Sequence, residues 1–522
     1  MRNKKLGIWV LIAGFAAGSA LAQDPAAKNM TLEDCILGAL KNNLAVAVQV
    51  LNPRLADEAL SKAREKFLPS LSMSFNNRHN ESASYSWTST STSGSILSKY
   101  NSYNFAINET LPIGGTLSLA LDSYKSDTNQ SLQTINPRYG STLSMNFSQP
   151  LLRNFGSTVS QREILVARNN LEISEYDLHK SLIDTIYSVE QAYWILVYSI
   201  QNLDVQRQTL KLARDLLEKN ERAVEVGQMA PIEVLSAQAE VATREADILQ
   251  AETQVKNNED TLRTLLNLEP GNQAPLTQII PVDRPPFEGK TVSLDEALLT
   301  AIDNRPDLRS ARTSLKNTEI DLTYAKNQLL PGLNLNAGFS SPGVSGDRIL
   351  YLNNDPLTGV VVGTMPGGSS DALKDTLNFK YQNWTIGLTL DIPLANVLSR
   401  AGYAQAQVNM ERALLSVKNQ EQQAYLEIRN AVRSVETGFK RVQAYKVARD
   451  LAEKKYEAEL EKLKVGLSTN YTLLQYQRDL ANARTAELKA IVDYTVSLAG
   501  LDRALGVSLK KKNMRVQDFM KS

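Results

Sequence analysis

One cysteine and two histidines are all that 522 residues provide for thiol or imidazole chemistry. With Cys35 alone no intrachain disulfide can form. Among Leu32, Ile36 and Leu40 it reads as a buried small hydrophobe rather than a reactive thiol. His79 and His179 have no partner at ligand spacing, which argues against zinc chemistry. There is no G-x-S-x-G elbow, and Gly289-Lys290-Thr291 is no phosphate loop, because Arg284 stands where its first glycine belongs. No catalytic residue, metal or cofactor is expected. Charge of one sign is missing too: 57 Lys and Arg balance 56 Asp and Glu, so there is no footprint for nucleic acid. Beyond the N-terminus no run of about 18 apolar residues occurs, which excludes a transmembrane helix. The longest apolar run in the helical stretches, Tyr193–Ile200, is interrupted by Ser199.

What is present begins with an export signal. Arg2, Lys4 and Lys5 precede an apolar stretch, Leu6 to Gly18, that is too short to span a bilayer, and Ala20-Leu21-Ala22 is an A-x-A cleavage site. Residues 1–22 are therefore expected to be removed. Gln23 follows, so no lipid-anchor cysteine stands at the cleavage point. Loss of the three basic residues leaves the mature chain near neutral. An exported chain without a membrane helix is periplasmic, secreted, or a β-barrel in an outer membrane. At 43% hydrophobic and 22% charged residues the chain is not disordered, and its length predicts more than one unit.

The chain repeats itself. TLEDCILGALKNN at 31–43 matches SLDEALLTAIDNR at 293–305, and the match runs without a gap to Phe67-Leu68-Pro69 against Leu329-Leu330-Pro331. It resumes at Gln149-Pro150-Leu151 against Ile392-Pro393-Leu394, and LARDLLEK at 212–219 matches VARDLAEK at 447–454. From there to Val226-Gly227 against Val465-Gly466 the second copy is longer by four residues, about one helical turn. The copies are 23–268 and 293–508. They are joined by 269–292, which carries Pro270, Pro275, Pro281, Pro285 and Pro286, and followed by a basic tail at 509–522.

Each copy predicts the same succession. Thr31 with Asp34, and Ser293 with Glu296, start a helix that should run to Pro69 or Pro331. Strands follow: Leu71, Met73 and Phe75 alternate with serines, and Leu333, Leu335 and Ala337 with asparagines. Returning strands carry Leu143, Met145 and Phe147, then Trp384, Ile386, Leu388 and Leu390. A period of two with uncharged polar residues on the second face fits a barrel wall between lipid and water. The first copy adds a pair through Tyr103, Phe105 and Ile107 and through Leu117, Leu119 and Leu121, giving four strands against two in the second copy. Segments 82–95, mostly Ser and Thr, and 341–376, rich in Gly and Pro, read as long external loops. Heptads then take over: Ile164, Leu171, Leu178; after a stutter Leu182, Val189, Leu196, Leu203, Leu210, Leu217; then Val234, Val241, Ile248, Val255, Leu262. Ile428, Val435, Val442 and Ile491, Leu498, Leu505 repeat the spacing. A helix over 158–226 would be about 100 Å long.

Signal peptide, duplication, helix-Pro-strand passages and heptad hairpins together resemble the TolC-like outer-membrane efflux protein family over nearly the whole mature chain. The most specific marks are the hairpin turns, VGQMAPIEVLSAQ at 226–238 and VGLSTNYTLLQYQ at 465–477. The resemblance implies an α+β membrane protein, a homotrimer sharing one transmembrane β-barrel in outer-membrane lipid, continued by a periplasmic coiled-coil tunnel. It also implies an exit duct for efflux or secretion, as in type I secretion. A periplasmic adaptor of an inner-membrane pump would dock at Val226, Gly227, Gln228, Val465, Gly466, Leu467, Ser468 and Thr469. Glu233 matches the family's acidic tunnel constriction; Thr472 and Gln475 stand where the second copy would carry acids, a departure from the pattern. Cargo is not legible, although the absence of helical Met and His clusters speaks against a metal-specific duct. The rival reading is a poreless periplasmic coiled-coil adaptor or scaffold, which the alternating strands argue against.

Overall fold

The computed structural model describes residues 28–84, 91, 94–268, 278–289 and 292–520. The expected signal peptide, residues 269–277 of the Pro-rich segment, Lys290, Thr291 and the last two residues of the tail lie outside the described residues, as does most of 85–93.

The elements are, in order, β1 (Lys28–Met30), α1 (Leu32–Asn42), α2 (Leu44–Glu65), β2 (Ser70–Ala83), β3 (Ser95–Thr110), β4 (Thr116–Thr128), β5 (Ile135–Pro150), α3 (Ser157–Ser160), α4 (Arg162–Glu225) and α5 (Pro231–Leu266). There follow β6 (Ile279–Pro281), α6 (Leu294–Asn304), α7 (Pro306–Asn327), β7 (Gly332–Tyr351), β8 (Val361–Met365), α8 (Ser369–Leu377), β9 (Asn383–Asp391), α9 (Val397–Lys464), α10 (Asn470–Leu505), α11 (Ser508–Lys511) and α12 (Val516–Met520). Lengths match in pairs: α1 and α6 have 11 residues, α2 and α7 have 22, and α5 and α10 have 36. The long helices α4 and α9 have 64 and 68.

Two expectations are corrected here. The opening helix of each half is broken, at Asn43 and at Arg305. Asn43 ends α1 in extended geometry, and its side-chain oxygen accepts from the Ala45 and Val46 amides while its amide nitrogen donates to the Leu265 carbonyl, 2.9 Å away. Arg305 precedes Pro306 and is forced out of the helical region. The start of α1 agrees with expectation: Thr31 and Asp34 exchange both capping-box bonds, the shorter Asp serving in place of Glu. The second correction concerns 341–376, which is not a loop. β7 runs on to Tyr351, β8 pairs with its end, and α8 follows, so the second half holds three strands rather than two. The first half has its four, with β2 ending at Ala83 and β3 starting at Ser95, so the external loop expected at 82–95 is shorter than its composition suggested.

The chain forms two compact units. One, among the described residues, takes the chain through Ala47, Leu182–Ala297 and Ile428–Lys512. Its interior follows the heptads: Leu182, Val189, Leu196, Ile428, Val435 and Val442 are all buried. β1 and β6 pair in parallel, too short for any periodicity to announce them. Asp283 just beyond β6 accepts from the Leu32 amide at 2.7 Å and the Tyr193 hydroxyl at 3.0 Å, which ties the start of α1 to the buried face of α4. Cys35 is fully buried here, and burial pushes its thiol up to about 12.

The other unit takes Val48–Ser181, Leu298–Glu427 and the residues from Asn513. It carries an antiparallel sheet in the order β2-β3-β4-β5-β7, with β9 on the first part of β7 and β8 on its last. Register aligns side chains across it: Leu71, Ile107, Leu119, Met145, Phe339 and Trp384 form one row. The adjacent row on the opposite face reads Ser72, Ala106, Ala120, Ser144, Ser340 and Asn383. At this level of the sheet one face is thus apolar and the other small and polar. The apolar side chains are exposed, with Met73 at 65%, Phe75 at 60% and Trp384 at 72%. A soluble sheet would cover such a face.

Candidate functional site

Both hairpin turns lie in the helical unit and share one geometry. α4 ends in a Schellman motif: the Gln228 amide donates to the Ala223 carbonyl and the Gly227 amide to that of Val224. α9 ends the same way, with Leu467 donating to Lys462 and Gly466 to Leu463. Gly227 and Gly466 both have φ of 75°, the left-handed region that glycine enters without cost. A Cβ on either would meet nothing within 4 Å, so backbone conformation demands glycine here, not crowding.

The following helices start differently. α5 has Pro231 at its first turn and no side-chain cap at Ala230. At α10 the Thr469 hydroxyl accepts from the Thr472 amide, and the two hydroxyls bond each other at 2.9 Å. Thr472 is thereby committed to the cap. Ser468 donates to Glu459, which also pairs with Lys462; the Ser468 hydrogen bond, with help from Lys462, holds that carboxyl below its ordinary range. The turns touch where the Asn470 amide approaches Met229 sulfur at 3.3 Å. Beneath them Leu216, Leu473 and Leu474 form a buried cluster under Tyr456, Leu460 and Leu463.

Of the residues singled out from sequence, Val226, Gly227, Gln228, Val465, Gly466, Leu467 and Thr469 are exposed and Ser468 is half-buried. Ile232, Leu235 and Tyr471 add exposed apolar surface beside them. Glu233 is half-buried, and Gln475 is exposed. Sequence reasoning missed Glu240. Its carboxylate, 5% exposed, is held by Arg244 on its own helix at 2.8 Å and by Arg478 on α10 at 2.5 Å. Burial pushes the Glu240 carboxyl up, but the bonds and charge of Arg478 and Arg244 outweigh it and keep it below its ordinary range. The Glu240-to-Arg244 spacing was a readable signal; the Arg478 contact was not. Among the described residues no group of three or more His, Cys, Asp or Glu is placed to hold a metal ion.

The chain carries a sheet with exposed apolar side chains in one unit and heptad helices closed by glycine turns in the other, features expected of a membrane transport duct. The outer membrane efflux protein family model matches residues 115–268 and 297–507, and the chain belongs to that family. The family is one of outer-membrane ducts, not enzymes, which places this chain in the bacterial outer membrane with its helices in the periplasm. The chain is 25% identical over 346 residues to the outer membrane protein TolC of Vibrio cholerae, covering 64% of this chain and 70% of that protein. Other curated relatives are matched over 48% to 60% of their length. Among solved structures, the Campylobacter jejuni CmeC outer membrane channel superposes with a TM-score of 0.63 at 17% identity, over 99% of this chain and 98% of that one. The open state of the Neisseria gonorrhoeae MtrE channel gives 0.59 at 19%, over 91% and 88%. Membership of this family removes the poreless-scaffold reading.

Proposed function

We propose that three copies of this chain close one outer-membrane barrel and form a periplasmic tunnel through which efflux or secretion cargo leaves. The observation that carries this is the pair of unfinished sheet edges. Among the described residues β2 and β9 each pair with one neighbour only, and every residue of both is exposed. Open edges beside an exposed apolar face are not tolerated in lipid, and a second copy supplies the missing strand. Repeats 23–268 and 293–508, joined by 269–292 and preceded by a cleaved 1–22, would then alternate around the threefold axis, with 509–522 as a tail. Cysteines at Leu71, Met73 or Phe75 should crosslink to cysteines at Ile386, Leu388 or Leu390 into trimers, and the trimers should conduct ions across planar bilayers. Crosslinks that stop at dimers, or trimers without conductance, would refute the duct.

The helical turns are proposed as the docking site of a periplasmic adaptor serving an inner-membrane pump. Exposed Val226, Val465, Leu467 and Tyr471, set on rigid Schellman turns, present the kind of apolar surface a protein partner covers. Glu233, Thr472 and Gln475 are the proposed constriction, with Glu233 contributing charge and Thr472 fixing the turn. The relative named for toxin and drug export supports an export role of this general kind. The test is Gly466→Val, measured for both trimer yield and export in a strain lacking its own duct. Export intact with normal trimers removes the turn from docking.

A further inference from the structure

We infer that α8 is an interfacial foot: it lies on the lipid-facing side of the barrel wall and rests at the headgroup–acyl boundary of the outer leaflet. This rests on the barrel reading above and adds a lipid contact from a segment that the sequence presents as an external loop. The side is set by register. Ser141 pairs with Gly343 and Leu143 with Ser341, on the same face as Met145, Phe339 and the apolar row. On that face α8 is seated. The Ser341 hydroxyl, fully buried, donates to the Thr376 carbonyl at 2.8 Å, and the Thr376 hydroxyl donates to the Ser141 carbonyl at 2.9 Å. A Cβ on Gly343 would stand 2.1 Å from the Ala372 carbonyl, so the helix backbone rests directly on the strand. Beyond α8 the Phe379 ring meets Phe339, with centroids 5.9 Å apart.

The height is set by strand length. About nine to eleven residues of tilted strand cross the apolar core. Counted from Gly332, where β7 begins, that brings the chain to 340–342, and α8 is seated at Ser341 and Gly343, at the outer boundary. The chemistry fits that depth. Leu373, Leu377, Phe379, Tyr381 and Trp384 are exposed together, an aromatic-rich group at the level where barrels carry their girdle. Asp371, Lys374 and Asp375 give the helix a polar side, the pattern of a helix lying in the interface. Its backbone is closed off for a place poor in water. Gly368 donates to Asp371, and the last carbonyls accept from Asn378, Phe379 and Lys380, with Phe379 held at a left-handed φ of 52° to do so.

Spin labels on Leu373→Cys, Leu377→Cys and Tyr381→Cys test this in the full-length trimer reconstituted in phosphatidylcholine vesicles, leaving the fully buried Cys35 in place. Met73→Cys and Ile386→Cys mark the apolar band, and Leu357→Cys marks an exposed site beyond the sheet. The expected result is oxygen collision rates like those of the band at 373 and 377, with accessibility to a water-soluble nickel chelate several-fold below that at 357. Nickel exposure like that of 357, while 73 and 386 report lipid, overturns the foot alone. Shielding from both oxygen and nickel also overturns it, since protein then covers the helix. Nickel exposure at 73 and 386 themselves overturns the barrel reading and the foot with it.

Discussion

Gly466 and Gly227 are held by dihedral angle rather than by space, and this decides what a substitution there does. A side chain at φ 75° costs about 1–2 kcal/mol through its clash with its own backbone. Gly466→Ala should therefore lower the melting temperature slightly without displacing a neighbour, since none lies within 4 Å of its Cβ. Glu240 behaves differently. Its folded carboxyl lies below its ordinary range, so its contribution is full above the unfolded value of about 4.3 and is lost as pH falls through the lower folded one. Melting followed from pH 7 to pH 3 should show a shallower acid limb for Glu240→Gln than for the natural chain. Equal limbs would mean that Arg478, half exposed, contributes nothing measurable. Cys35 should resist maleimide in the folded protein at pH 8 and react once the protein is denatured.

At the scale of the element, the sheet offers a sharp contrast between adjacent residues of β9. Ile386 lies on the apolar face with Ala337, and Thr385 lies on the polar face opposite Gly338. A lysine on the lipid side of a barrel costs about 2–4 kcal/mol near the bilayer midplane and little on the lumen side. Ile386→Lys should reduce the yield of heat-modifiable trimers. Thr385→Lys should leave the yield unchanged and shift conductance toward anions. The alternation that predicts this was legible because a period of two needs only the strand itself. The helix breaks at Asn43 and Arg305 were not read from the sequence: Pro306 was an available signal for the second, whereas Asn43 works through the Leu265 carbonyl, far along the chain. α8 was hidden because its seat, Ser141, Ser341 and Gly343, is made of small residues that read as loop composition.

At the scale of the molecule, the paired element lengths make the repeat a matter of geometry as well as sequence. The four residues by which α9 exceeds α4 match the extra turn seen between aligned anchors. Amino-acid order alone determined the long heptad helices, the central alternating strands and the glycine turns, because heptads, period-two patterns and left-handed caps are local and each residue reports its own surroundings. It also determined the family, since the matching stretches include both turns. Tertiary structure decided the rest. Only strand register showed that the apolar residues of separate strands line up in rows on one face, that β2 and β9 are left as edges among the described residues, and that α8 rests on the apolar side. Only helix packing brought Arg478 to Glu240. These facts depend on residues distant in sequence meeting in space, and no local pattern encodes which of them will meet.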